Sequence, residues 1–315
     1  MRLDFIAMLV GLLTAIQSRA NGELSIRIDN SLQASLISFS SGLVLILAIA
    51  IWHPGIKQGA VQLRAAVRAG AIPRWRLFGG VLGGFLVAIQ TQIVPIIGVA
   101  IYSVTMIAGQ TTASLWVDHS GLTGGDKKLI SRRRILAALV TVVAVLVSVW
   151  DRIDAKNLSL WAVFMGVFAG FFIGVQRALN GQVNQQTQQS FTTSLLNFIM
   201  GTSTLIIVVI LGLVFHRFHF SAIVPGPWWM FLGGIVGVIY VAFSATVVQQ
   251  IGLLSFTLFS VGGQLVGALL IDFFSPTRGV HVGPFLIAGI VLTYVGVIIN
   301  NESVLKKNRF SIRKE

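Results

Sequence analysis

GLLTAIQSRANG (residues 11–22) and GFFIGVQRALNG (residues 170–181) decide the fold. At a shift of 159 residues they superpose Gly11 on Gly170, Gln17 on Gln176, Asn21 on Asn180 and Gly22 on Gly181. The register runs on through Ser35 and Ser194, Phe39 and Phe198, Gly42 and Gly201. A shift of 154 then pairs Gly79, Gly80 and Gly83 with Gly233, Gly234 and Gly237, Gly98 with Gly252, Gly109-Gln110 with Gly263-Gln264, and Asp118 with Asp272. A last shift of 152 pairs Thr141 with Thr293. Glycines and polar side chains carry the match, and a chance overlay of two apolar segments would not align those. The chain reads as an internal duplication.

Both copies are built of apolar runs. Hydrophobic residues make up 55% of the 315, charged residues only 10%, and the mean hydropathy is +0.86. A soluble domain carries roughly a quarter charged residues, so a soluble enzyme is excluded first. Lys plus Arg is 23 against 10 Asp plus Glu, a formal charge of +13. The basic residues fall between apolar runs, which points to membrane topology and away from nucleic acid. With no cysteine there are no disulfides, thiolate metal sites or Cys nucleophiles.

A membrane span needs about 20 mostly apolar residues. Ten runs qualify: 4–24, 32–52, 76–94, 97–117, 133–150, 160–180, 192–215, 228–249, 252–273 and 283–300. The expected fold is an all-α polytopic membrane protein of ten transmembrane helices. Residues 1–151 form the first five-helix repeat, 152–301 the second, and 302–315 a basic tail. All seven Trp lie near span ends, as an aromatic belt requires. No phosphate-binding Gly-x-x-x-x-Gly-Lys loop is present, which argues against an ATP-driven pump.

Five is odd, so the second copy enters the membrane from the opposite side. With the N-terminus cytoplasmic, the inner loops hold 16 Lys and Arg and the outer loops 5. Lys and Arg resist translocation, so both termini are expected in the cytoplasm. The loop after the second span has five basic residues and its counterpart after the seventh has only Arg217. Inverted repeats of this kind are the plan of many secondary transporters; a duplicated scaffold without transport, or a partner subunit, is the competing reading.

Gln17-x-x-x-Asn21, Ser35-x-x-x-Phe39-x-x-Gly42 and Gly109-Gln110 followed by Asp118 together resemble the YdcZ type of bacterial inner-membrane protein. That type belongs to the drug/metabolite transporter superfamily, with EamA-like exporters as relatives. Both halves carry the pattern. The resemblance implies two inverted five-helix bundles and small-molecule transport, in the direction of export. The second half departs from the first where Asn197 replaces Ser38 and Arg177 replaces Ser18.

Amides inside a span are costly unless paired and usually face the bundle interior. Gln17 with Asn21, Gln176 with Asn180, and the mid-span Gln110 and Gln264 are the candidate lining of a polar, water-accessible cavity. Hydrogen bonding between helices competes with that reading, most strongly at Asn21 and Asn180. Arg19 and Arg177 are the costliest intramembrane residues, and each has an Asp at matching depth: Asp272 for Arg19, Asp118 for Arg177. Each pair reads as a gate or a static ion pair, with snorkelling of the Arg as the alternative.

The small-residue ladders Gly79/Gly83, Gly166/Gly170/Gly174, Gly233/Gly237 and Gly263/Gly267 read as close helix packing. Residues 57–70, with Lys57, Arg64 and Arg68, predict a short cytoplasmic surface helix held by anionic lipid, and the tail is expected to bind lipid similarly. His216 and His219 do not supply enough ligands for a metal. An intramembrane enzyme would need paired carboxylates or a nucleophile with its base among the spans, and none is seen. The chain is therefore expected to be a non-enzymatic transporter of a small organic solute in a bacterial inner membrane, without cofactor or metal. Its partners would be the bilayer, its anionic lipids, the solute and at most a second copy of itself.

Overall fold

The computed structural model describes residues 3–122, 132–150, 159–223, 225–251, 253–275 and 282–300. Every regular element among them is helical: α1 (Leu3–Ile28), α2 (Ser31–Trp52), α3 (Pro54–Arg68), α4 (Gly79–Ser120), α5 (Arg132–Ser148), α6 (Leu160–Thr187), α7 (Ser190–Val214), α8 (Gly233–Ile251), α9 (Leu253–Phe274) and α10 (Pro284–Asn300). Short 3-10 turns at Arg74–Phe78 and Trp228–Leu232 lead into α4 and α8. Five stretches are long and apolar enough to cross a membrane (3–28, 31–52, 74–117, 160–187 and 190–214), and shorter apolar helices lie at 135–148, 228–244, 259–274 and 284–299. The protein is an all-helical polytopic membrane protein.

The surface has the polarity of a membrane solute. Val44, Leu47, Leu139, Val143, Phe164, Ile207, Ile210 and Val291 point outward from mid-helix, while Ser35, Thr91, Ser103, Thr105, Thr141 and Ser194 are buried. In lipid the apolar side chains face hydrocarbon and the polar ones turn inside, where Ser35, Thr91, Thr105 and Thr141 donate to backbone carbonyls. Six of the Trp residues are exposed near helix ends, and the seventh, Trp229, lies under Arg19.

The turns repeat as the sequence does. α1 and α2 join through Asp29 at φ 52, and Asn30 caps α2 by accepting from the Gln33 amide. α6 and α7 join through Gln188 at φ 50, which stands 159 residues after Asp29. The two apolar runs expected at 76–94 and 97–117 form one continuous stretch that leaves helical geometry at Gly98 (φ 80, ψ 169). Pro95 removes a backbone donor just before it, and only glycine adopts that φ without strain. The 44 residues of the stretch are about twice the roughly 20 that one helical crossing of the hydrocarbon needs. The expected surface helix is α3. It begins at Pro54, earlier than the sequence suggested, and ends before Gly70 at φ 73. Its face of Ile56, Gly59 and Leu63 is buried against the α6–α7 connection, where Thr192 Oγ1 donates to the Ile56 carbonyl at 3.2 Å.

Glycines set the closest helix crossings, in matched pairs. A Cβ on Gly109 of α4 would collide with the Val167 carbonyl of α6, and one on Gly263 of α9 with the Met8 carbonyl of α1. Gly170 meets the Met106 carbonyl as Gly11 meets that of Ser260. Gly83 lies under the Gln176 amide and Gly237 under that of Gln17. At the centre Phe39 packs on Gly201 and Phe198 on Gly42, and the two rings meet at 5.1 Å between centroids.

Candidate cavity between the helices

Beside the Phe39–Phe198 pair is a cavity enclosed by α1, α2, α4, α6, α7 and α8. Gln17, Gln90, Gln176, Asn197 and Tyr240 are its larger polar lining groups. Its volume is about 40 Å³, enough for a few waters at roughly 10–15 Å³ each. An organic solute enters only if the helices part.

Two amide clusters flank it. On the α1 side Asn21 donates to Gln90 Oε1 at 2.7 Å, Gln90 donates to Ser18 Oγ at 2.8 Å, and Gln17 donates to the Gly233 carbonyl at 3.1 Å. On the α6 side Gln176 and Asn180 both donate to Asn197 Oδ1, at 2.7 and 3.2 Å. The i, i+4 spacing of each amide pair puts both on one helix face, over the Gly237/Gly233 or Gly83/Gly79 ladder. Each amide pair therefore does two things: it holds helices together, and through Gln17 and Gln176 it lines the cavity.

The structure redistributes the other expected site residues. Gln110 and Gln264 are buried, 8% and 2% exposed, so both face away from lipid, yet neither lines this cavity. Gln110 Oε1 accepts from Arg177 Nη1 at 2.9 Å, and the Nε2 atoms of both glutamines lack a partner. Arg177 also donates from Nε and Nη2 to the Tyr240 hydroxyl, at 3.0 and 2.5 Å. The side chain of Asp118, expected opposite Arg177, lies outside the described residues. The expected Arg19–Asp272 pair does not form. Arg19 binds Glu23, one turn along its own helix, at 2.9 Å, and reaches Ser275 and the face of Trp229. Arg27 binds the other oxygen of Glu23 at 2.9 Å. The buried Asp272 carboxylate instead accepts from the amides of Val99 and Ala100, at 3.2 and 2.7 Å. Those donors are freed by the break at Gly98, so Asp272 caps the second part of α4 from a neighbouring helix.

Gln90 and Tyr240 are site residues that the repeat did not reveal. Their counterparts at a shift of 154 are Ser244 and Leu86, so comparison of the halves passes over them. A mid-span amide or phenol inside an apolar run was the available signal. Among the described residues no three His, Cys, Asp or Glu converge on one point.

A family model described as "Putative inner membrane exporter, YdcZ" matches residues 3–147 and 161–299. The chain is 30% identical over 145 residues to the Escherichia coli (strain K12) "Inner membrane protein YdcZ", an overlap covering 44% of this chain and 93% of that one. A solved crystal structure aligns with 98% of this chain and 97% of its own at a TM-score of 0.56 and 15% identity, a likeness of fold alone. Helical membrane architecture, recurring motifs and two matched segments converge, and the chain belongs to the YdcZ family of inner-membrane proteins.

Proposed function

We propose that the protein is a secondary transporter that exports a small organic solute across the bacterial inner membrane by alternating access. The carrying observation is the cavity where residues of both sequence copies meet, lined by the paired Gln17 and Gln176 and flanked by the paired Phe39 and Phe198. Supporting the reading of two inverted five-helix halves, 1–151 and 152–301, are the matched glycine contacts and the two family segments. The E. coli relative aligns over nearly its full length to fewer than half of this chain's residues, as one half would. Halves of similar packing give inward-open and outward-open states of similar energy. The phenylalanine pair then acts as the partition that yields as the halves rock. No catalytic role is assigned to any residue.

The basic-residue bias supports a reading with both termini in the cytoplasm. That puts α3, whose Lys57, Arg64 and Arg68 point outward, against the anionic inner leaflet. Since the chain has no native cysteine, Gln58→Cys should be labelled by an impermeant maleimide only after the cells are opened, and Phe220→Cys in intact cells. The reverse pattern inverts the orientation. Transport itself is tested in proteoliposomes with labelled small organic solutes, with and without a pH gradient. Flux is expected, and the double variant Gln17→Leu/Gln176→Leu should abolish it while eluting as a folded protein. Normal flux in that variant rejects the site, and no flux from the parent protein rejects the transporter.

A further inference from the structure

We infer that the second half carries an anion subsite at Arg177, Tyr240 and Gln110, and that the solute is a small organic anion bearing a carboxylate. The inference deepens the transport reading and rests on it for the solute's route, but not for binding. An arginine within the apolar bundle is costly and ordinarily pairs with an acid. Arg177 has no carboxylate partner among the described residues; its guanidinium is held by two neutral oxygens, Tyr240 OH and Gln110 Oε1. That arrangement orients the cation without neutralising it.

The neighbouring donors are also unspent. Gln110 turns its oxygen to Arg177, which leaves its Nε2 as a buried donor without an acceptor. Tyr240 accepts twice from the guanidinium, so its own proton must point elsewhere, and no acceptor takes it among the described residues. A phenol polarised by a cation is a stronger donor. Tyr240 lines the central cavity directly. A cation and two donors with no carboxylate beside them among the described residues make a site for an anion, and a carboxylate has the two oxygens to meet them. Arg177 and Gln110 stand behind Tyr240 and do not line the cavity themselves, while the cavity's Phe39, Phe198, Leu86 and Met106 suit an apolar body in front of the charged head. The first half has neutral Ser18 and apolar Leu86 where the second has Arg177 and Tyr240. The subsite is therefore one-sided.

The test uses the full chain in neutral detergent, with benzoate, benzamide and benzylammonium as probes matched in shape and differing in charge. Calorimetric titration should show benzoate binding about tenfold or more tightly than benzamide, and benzylammonium not at all. Arg177→Ser, which installs the residue the first half has, should bring benzoate and benzamide to equal affinity; Arg177→Lys should keep part of the preference. Equal affinities in the parent protein, or a preference that survives Arg177→Ser, overturn the subsite. A preference for benzoate that phosphatidylglycerol abolishes by competition assigns the site to a lipid headgroup and overturns the solute. The same probes in proteoliposomes separate the two readings. Selective binding without flux keeps the anion subsite and removes transport, whereas benzamide flux without benzoate preference keeps transport and removes the subsite.

Discussion

A glycine in this protein is read by what its missing Cβ would strike. Gly109 and Gly263 abut backbone carbonyls of the neighbouring helix, while Gly181, also within a helix, has open space around it. Alanine favours a helix over glycine by about 1 kcal/mol, but overpacking a tight crossing costs about 1–3 kcal/mol and backbone cannot step aside. Gly109→Ala and Gly263→Ala should therefore lower the thermal unfolding midpoint in detergent, and Gly181→Ala should leave it level or raise it. A uniform response across the three would disprove the packing role. Asp272 acts through two backbone amides. Asp272→Ala strands both in the protein interior, an expected loss of about 1–3 kcal/mol, with Asp272→Asn milder because one oxygen remains. A charge swap of Arg19 with Asp272 should rescue nothing, since Arg19 already has Glu23. Equal thermal stability of Asp272→Ala and the parent would refute the capping role.

At the scale of elements, the break in α4 organises its surroundings. Pro95 and Gly98 interrupt the ladder, and the segment Val99–Ala108 that follows is almost wholly buried. Its glycine Gly109 then presses against α6. α3 shows the other use of an interruption. Its pattern of Ile56, Gly59 and Leu63 makes one narrow apolar stripe, too short to span and just wide enough to dock on the connection between α6 and α7. The equivalent connection between α1 and α2 is covered instead by an irregular strap: Asn30 donates to the His219 carbonyl and Gln33 bonds Ser221 in both directions. The two connections are thus covered differently, one by a helix and one by an irregular segment, although the underlying turns match.

The whole molecule follows from helices of one sequence copy being filled by glycine ladders of the other. Gln17 and Asn21 of α1 rest over Gly237 and Gly233 of α8, and Gln176 and Asn180 of α6 over Gly83 and Gly79 of α4. Gln17 bonds across the proposed halves to the Gly233 carbonyl, and the other amides, paired within their own half, are covered by glycines of the other half, so separation would bare these faces to lipid. Residues 1–151 and 152–315 expressed as separate chains should co-purify and, together, restore the flux of the intact protein; each alone should be degraded or aggregate. Two stable, independent fragments would contradict an interlocked pair of halves.

The all-helical build, membrane residence and the positions of the glycine ladders were legible in the sequence, because lipid demands long apolar runs and close crossings demand small residues at fixed spacing. Of the six amides that repetition marked out, Gln17 and Gln176 line one cavity, while Asn21, Asn180, Gln110 and Gln264 do not. Charge partners were not legible. Depth along a helix says which residues share a level, and Arg19 and Asp272 do; it does not say which lie on facing sides, and Glu23 won through the i, i+4 geometry of its own helix. The task of Asp272 depended on where a distant glycine breaks its helix. Gln90, Asn197 and Tyr240 entered the cavity at positions where the two copies differ. Sequence periodicity fixes each helix's composition and faces, but which face meets which is set by packing among all of them at once, and only the tertiary structure decided it.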